Sequence, residues 1–329
     1  MDDFFNTPEA ALRWIDEGKG AALATVIQTW GSAPRKVGSQ LAVSSESEIY
    51  GSVSGGCVEG AVVVEAVQAL GDGKCRVLEF GVSNIEAFSV GLACGGTIRV
   101  MVEPVGTGAG PDVKTIEEMC AARSERKTIA CRVNLKSWER RLERPESNGD
   151  RRRNVRAESR IEGDEFVLVH NPPLKLVVVG AVHIAQPLLR MARLAEFTTV
   201  LIDPRDTFAT KDRFPEETIL DEWPDEALAM VGLDAHTAVV TLTHDPKLDD
   251  PAIAAALESD VFYLGCLGSR RTHKKRVVRL AEAGIPLDVI DRRIHAPVGL
   301  GIGASSPAEI AISIMAEIIA RLRGKENRT

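Results

Sequence analysis

The sequence predicts an α/β protein in which an N-terminal α+β domain precedes a Rossmann-like, doubly wound parallel sheet. Three observations carry this reading. Leu176 to Val179 is a β-branched apolar run, as in a strand buried on both faces, and it breaks at Gly180 straight into a helical pattern with Ile184, Leu188, Leu189, Ala192 and Ala195 on one side. From Lys175 onward such runs (175–179, 199–202, 236–242 and 261–264) alternate with helical segments. Before Pro104 the strands alternate polar and apolar residues between glycine turns, as in an antiparallel layer. A length of 329 residues suffices for two domains, each with its own core.

Residues 8–17 fit a short helix ended by Gly18, and Ala21 to Thr29 a strand. The turn from Gly31 to Gly38 leads to strands at 40–43 and 49–53. Ser52 to Gly60 is a glycine-rich turn that opens a helix stopping at Gly71, and strands at 76–80 and 97–103 close an N-terminal domain of residues 1–105. Residues 106–172 read as a connecting segment with a helix at 112–123, a strand at 128–133 and a return strand at 166–169. Within it, Lys136 to Asp164 is dense in Arg, Glu and Asp and is expected to be a solvated loop. Acids interleave Arg151, Arg152 and Arg153, so that run reads as solvated rather than as a nucleic-acid contact. The C-terminal domain, 173–329, ends in a helix with Ser306 as N-cap, Pro307 at N1 and Glu309 completing a capping box. Ile310, Ala311, Ile314, Met315, Ile318 and Ile319 are its expected buried stripe.

Forty basic against forty-seven acidic residues give a net charge of −7, which argues against nucleic acid and anionic membrane as partners. No apolar run approaches the roughly 18 residues of a membrane span. The start Met1-Asp-Asp-Phe-Phe-Asn6 lacks the basic and apolar regions of a signal peptide. Six cysteines without close pairs read as reduced thiols, so a cytoplasmic protein is expected.

Two loops pair a cysteine with glycines. Gly55-Gly56-Cys57-Val58-Glu59 places a thiol at the first turn of a helix, where the macrodipole favours a thiolate and the glycine N–H groups can face an anion. Cys94-Gly95-Gly96 repeats the pairing at the entry to a strand. The spacing does not suit zinc, and Cys75, Cys120, Cys131 and Cys266 read as core. In the second half, Gly180-x-Val182-x-x-Ala185 resembles the dinucleotide fingerprint, but Val182 puts two methyls where a pyrophosphate meets the backbone. Tight NAD(P) or FAD binding is therefore not expected, although Asp203 stands where a ribose-binding acid would. His183 lies in the first turn after Gly180, His244 follows the third strand run, and His295 precedes another loop at the same edge. Gly268, Ser269, Arg270 and Arg271 open a helix after a strand, a credible phosphate site, whereas Lys274, Lys275 and Arg276 read as solvated. No Ser-His-Asp order, HExxH or Walker loop is present.

The segments Thr29–Arg35, Gly51–Glu59, Cys94–Gly96, Gly180–Ala185, Leu267–His273 and Ile294–Leu300 together resemble the XdhC/CoxI family of xanthine dehydrogenase accessory proteins. The family pattern Gly-Ala-Gly-His is here Gly180-Ala181-Val182-His183. The resemblance implies a molybdenum cofactor (molybdopterin) chaperone, which holds the cofactor while a cysteine desulfurase supplies sulfur and then delivers it to a client molybdenum hydroxylase. Taken with the readings above, the candidate cofactor-binding set is Arg35, Gly55, Gly56, Cys57, Glu59, Cys94, Gly95, Gly96, Gly180, His183, Asp203, His244, Gly268, Ser269, Arg270, Arg271 and His295. Cys57 and Cys94 would be molybdenum ligands through the cofactor, or Cys57 a sulfur relay. A homo-oligomer is expected. The alternative is an NAD(P)-linked oxidoreductase associated with xanthine dehydrogenase, favoured by the fold and Asp203.

Overall fold

A short helix, α1 (Thr7–Asp16), leads into β1 (Ala21–Trp30), whose residues point alternately to two cores in this computed structural model. The structure describes residues 6–32, 35–81, 96–144 and 157–324. β2 (Gln40–Ser44), β3 (Ile49–Gly51), α2 (Glu59–Asp72), β4 (Arg76–Phe80) and β5 (Thr97–Pro104) follow, and the strands form an antiparallel sheet in the order β3-β2-β1-β5-β4. Ala22, Ala24 and Val26 meet Val62, Ala66 and Ala69 of α2 on one face. On the other, Ala21, Leu23 and Ile27 meet Ala11 and Trp14 of α1.

This second core extends into the chain beyond Pro104. α3 (Val113–Ser124), capped by Asp112, and β6 (Ile129–Asn134), β7 (Arg140–Glu143), β8 (Arg160–Glu162) and β9 (Glu165–His170) add a helix and a sheet of order β7-β6-β9-β8. Ile116, Met119, Ile129, Val133, Phe166 and Leu168 join Trp14 and Ile27 there. Residues 136–164 therefore depart from the expected solvated loop at both ends. Charge pairing orders them. Arg132 donates to Glu143 at 2.9 Å, to Glu162 at 2.5 Å and to Glu165 at 3.3 Å, stitching β6, β7, β8 and β9 across their polar face. Arg151 to Arg153 lie outside the described residues.

The chain separates into two units by its internal contacts, the second of which holds residues 173–329. It comprises β10 (Leu174–Val179), α4 (Ala185–Leu194), β11 (Phe197–Ile202), β12 (Thr218–Leu220), α5 (Pro224–Val231), β13 (Thr237–Thr241), α6 (Pro246–Glu258), β14 (Tyr263–Cys266), α7 (Arg270–Glu282), α8 (Leu287–Arg293), β15 (Ile294–His295) and α9 (Pro307–Leu322). Its sheet is wholly parallel, in the order β12-β11-β10-β13-β14-β15. All of β10 is buried, which is why it reads as an unbroken apolar run. Leu174, Leu176 and Val178 pack toward α4 and α9, and Val177 and Val179 toward α5, α6, α7 and α8. The Rossmann-like expectation holds.

α9 has the expected capping box, with Ser306 and Glu309 each bonding the other's backbone. Its buried stripe differs from the expected one. Ile319 is exposed and Glu317 is buried, because Glu317 has partners on the sheet that an apolar stripe does not foresee. Ser313 is buried as well. Among the described residues no helix is long and apolar enough to cross a membrane.

Candidate functional site

The loop before α2 is closed around its own carboxylate. Glu59 accepts hydrogen bonds from the N–H groups of Val53 (3.2 Å), Ser54 (2.9 Å), Gly55 (3.1 Å) and Gly56 (2.9 Å), from the Ser52 hydroxyl at 2.7 Å, and from the Ser54 hydroxyl. Burial pushes this carboxyl up, but the hydroxyl and amide donors outweigh it and hold the pKa at about 2. Gly55 (φ 76°) and Gly56 (φ 113°) supply the left-handed turns that aim the amides inward. The anion expected at these glycines is thus Glu59 itself. Cys57 sits partly buried at the tip, its N–H donating to Ser54 Oγ at 3.0 Å. It lies two residues before the first residue of α2, so it stands outside the helical turn the sequence placed it in.

Gly96 enters β5 so close to the end of β1 that a Cβ there would lie 2.6 Å from the Ser32 carbonyl oxygen. Arg35 is partly buried in the connection after β1. Cys94 and Gly95 lie outside the described residues. Cys75, Cys131 and Cys266 are buried, as expected, with thiols pushed up to about 12 by burial.

In the second unit the expected residues fall along the carboxyl edge of the parallel sheet, where open α/β folds bind ligands. Strand order sets them in sequence: Asp203 after β11, Gly180 after β10, His244 after β13, Gly268 to Arg271 after β14, and His295 on β15. Asp203 is committed internally. Its carboxylate accepts from the Ala181 N–H at 2.7 Å and from Arg205 Nε and Nη2 at 2.8 and 2.7 Å. Despite burial, those donors hold it below the usual carboxylate range. The Ala181 turn amide is therefore taken by a carboxylate, and Asp203 has internal partners for both its oxygens. His183 and His244 are both exposed, His244 with a positive φ of 62°.

At the start of α7, Ser269 caps the helix by accepting the Thr272 N–H at 3.1 Å, and no acid occupies the first turn. Arg270 and Arg271 are exposed there, as are Lys274 and Lys275. Arg276 overturns its solvated reading: it is 1% exposed and lies under the same edge. Its Nη2 donates to the Leu267 carbonyl at 3.0 Å and stands 3.5 Å from Asp249, a buried carboxyl raised by desolvation and bonded by the Thr243 hydroxyl at 2.7 Å. Arg276 thus ties the base of α7 to α6 and to the loops after β13 and β14.

His295 belongs to a group that sequence reasoning did not assemble. Tyr263 on β14 stacks against its ring at 4.7 Å, and the Tyr263 hydroxyl donates to Glu317 on α9 at 2.5 Å. His295 Nδ1 lies 3.4 Å from the same carboxylate. Gly265 permits this, because a Cβ there would lie 2.8 Å from the Tyr263 ring. The available signal was Glu317 itself, a carboxylate amid the apolar stripe of α9.

Known proteins resemble this chain. The family model described as "XdhC Rossmann domain" matches residues 176–318, and that described as "XdhC and CoxI family" matches residues 14–81. The chain belongs to the XdhC and CoxI family. It is similar to the molybdenum cofactor insertion chaperone PaoD of Escherichia coli (strain K12), at 29% identity over 99% of this chain and 91% of that protein's length. A Bacillus subtilis (strain 168) protein, named as a probable xanthine dehydrogenase subunit, is 27% identical over 93% of this chain and 94% of its own. A crystal structure described as a xanthine dehydrogenase from Bacillus halodurans matches with a TM-score of 0.75 at 26% identity, covering 100% of this chain and 98% of that one.

Proposed function

We propose that this chain is a molybdenum cofactor chaperone, which binds the cofactor, holds it for sulfuration and inserts it into a molybdenum hydroxylase such as xanthine dehydrogenase. The observation that carries this is the start of α7. Two exposed arginines crowd the positive end of a helix, at the ligand-binding edge of the sheet, with no acid in the first turn. That arrangement is unfavourable by itself and favourable around a phosphate, and molybdopterin carries one. PaoD, similar over almost the full chain, is named for cofactor insertion.

In this reading Ser269, Arg270 and Arg271 take the phosphate. Cys57, presented by a rigid loop, is a soft sulfur ligand or sulfur relay, with Cys94 as its companion. A cysteine desulfurase and the client enzyme are the partners, and the chain works in the cytoplasm as a homo-oligomer. The alternative, an NAD(P)-linked oxidoreductase, is disfavoured by Val182 and by Asp203 holding the Ala181 amide.

Calorimetry on the full chain decides between them. Molybdenum cofactor should bind, and NAD(P) should not. Arg270→Ala combined with Arg271→Ala should weaken cofactor binding about tenfold or more. Cys57→Ser should fold and bind but fail to activate the client. A micromolar dinucleotide affinity without cofactor binding would overturn the proposal.

A further inference from the structure

Glu317 lies on the buried face of α9 between Ile314 and Ile318 and is 7% exposed. Two donors bond its carboxylate, the Tyr263 hydroxyl (2.5 Å) and the Gly299 N–H (2.8 Å), both on Oε2, and His295 Nδ1 stands 3.4 Å from Oε1. Burial alone pushes this carboxyl up, yet His295, Tyr263 and Gly299 outweigh it and keep the pKa below the usual range. An ionised carboxylate only accepts hydrogen bonds. It therefore fixes the proton of a neutral His295 ring on Nδ1 and leaves the lone pair on Nε2. Among the described residues Nε2 meets no hydrogen-bond partner, it is not sealed from solvent, and the side chain is 29% exposed. A stacked, carboxylate-oriented imidazole thus turns one basic nitrogen outward.

α9 is seated on the sheet by Ala311, Ile314, Met315 and Ile318 and by the Tyr263–Glu317 bond. His295 pairs in register with Gly265 of β14, and Ser269 lies four residues further along. Four residues of extended chain span at most about 13 Å, a reach suited to the two ends of an elongated ligand. We infer that His295 Nε2 is the acceptor for a ring N–H or amino donor of a flat heterocycle, the pterin end of the ligand whose phosphate sits at α7. Glu317 and Tyr263 are its positioning residues. This rests on the chaperone reading above.

The test uses the full chain labelled with 15N-histidine, a phosphate-free pterin and, separately, inorganic phosphate. Long-range 1H–15N spectra should place the proton of neutral His295 on Nδ1, and pterin should shift the Nε2 resonance. Glu317→Gln should mix the two tautomers, whereas Tyr263→Phe should keep the wild-type one. His295→Phe should weaken pterin binding about five- to tenfold with phosphate affinity unchanged. A proton on Nε2 in the wild type, an Nε2 signal indifferent to bound pterin, or equal pterin affinity in His295→Phe overturns the assignment. Should the wild type bind molybdenum cofactor while failing these tests, the assignment falls and the chaperone reading stands. Should it bind neither cofactor nor pterin, both fall.

Discussion

Helices α2 and α7 both begin after a turn containing glycine and serine, but one supplies its own anion and the other does not. At α2 the amides from Val53 to Gly56 are consumed by Glu59, which comes from the first residue of the helix itself. The Gly180 turn before α4 uses the same device at longer range, with Asp203 accepting from Ala181. At α7 the cap is Ser269, and the charges gathered around it are cationic. A glycine-rich turn before a helix therefore does not by itself mark an anion site. The sign of the nearest side chains decides, and by that criterion α7 is the place left for an external anion.

The largest test of this contrast is Arg276, which fixes the base of α7. Arg276→Met leaves Asp249 as an uncompensated buried carboxyl, and denaturant unfolding should show a loss of about 3 kcal/mol. Adding Asp249→Asn should return part of it. A loss below about 1 kcal/mol would mean that the 3.5 Å pairing contributes little.

Glu59→Ala should cost about 2 kcal/mol, because several amides lose their acceptor while the exposed glycines regain water. Since the folded-state pKa, about 2, lies below the unfolded value, this contribution is present above about pH 5 and is lost as the pH falls toward 2. Glu59→Gln should accordingly flatten the acid limb of the stability curve. A limb identical to that of the wild type would deny Glu59 its role.

Removing both Arg270 and Arg271 should act in the opposite direction, raising the unfolding midpoint slightly, because cations are unfavourable at a helix N-terminus. A clear fall would show that they serve the fold. The smallest effect is expected from Val182→Gly: dinucleotide affinity should stay undetectable by calorimetry, because Asp203 still holds the Ala181 amide. A gain would show that the two methyls alone close that turn.

These contrasts bear on what the sequence could disclose. β10 was legible because burial on both faces forces an apolar run, and α9 because capping chemistry is local. The edges of the region 136–164 were not, since the order of β7 and β8 comes from Arg132 meeting carboxylates distant in the chain. Arg276 looks like its neighbours Lys274 and Lys275. Only its spacing, four residues before buried Leu280, places it on the inward face of α7. The candidate residues were largely found as residue types at loops. Their partners Glu317, Tyr263, Asp249 and Arg205 were not, because each contact that defines them joins separate elements or, for Arg205, depends on the fold of a turn.

The Ser52–Glu59 loop also has a kinetic consequence. Its bonds span only a few residues, and closing a loop of about ten residues takes on the order of 10–100 ns. The sheet beneath it must pair Trp30 with Thr97, a far slower long-range event. The loop can thus take its native shape while most of the chain is still unfolded, and Cys57 should face solvent in near-final geometry during refolding. Pulsed alkylation during refolding would register this as labelling of Cys57 that changes least between early and late times, compared with Cys131 in the slowly formed core.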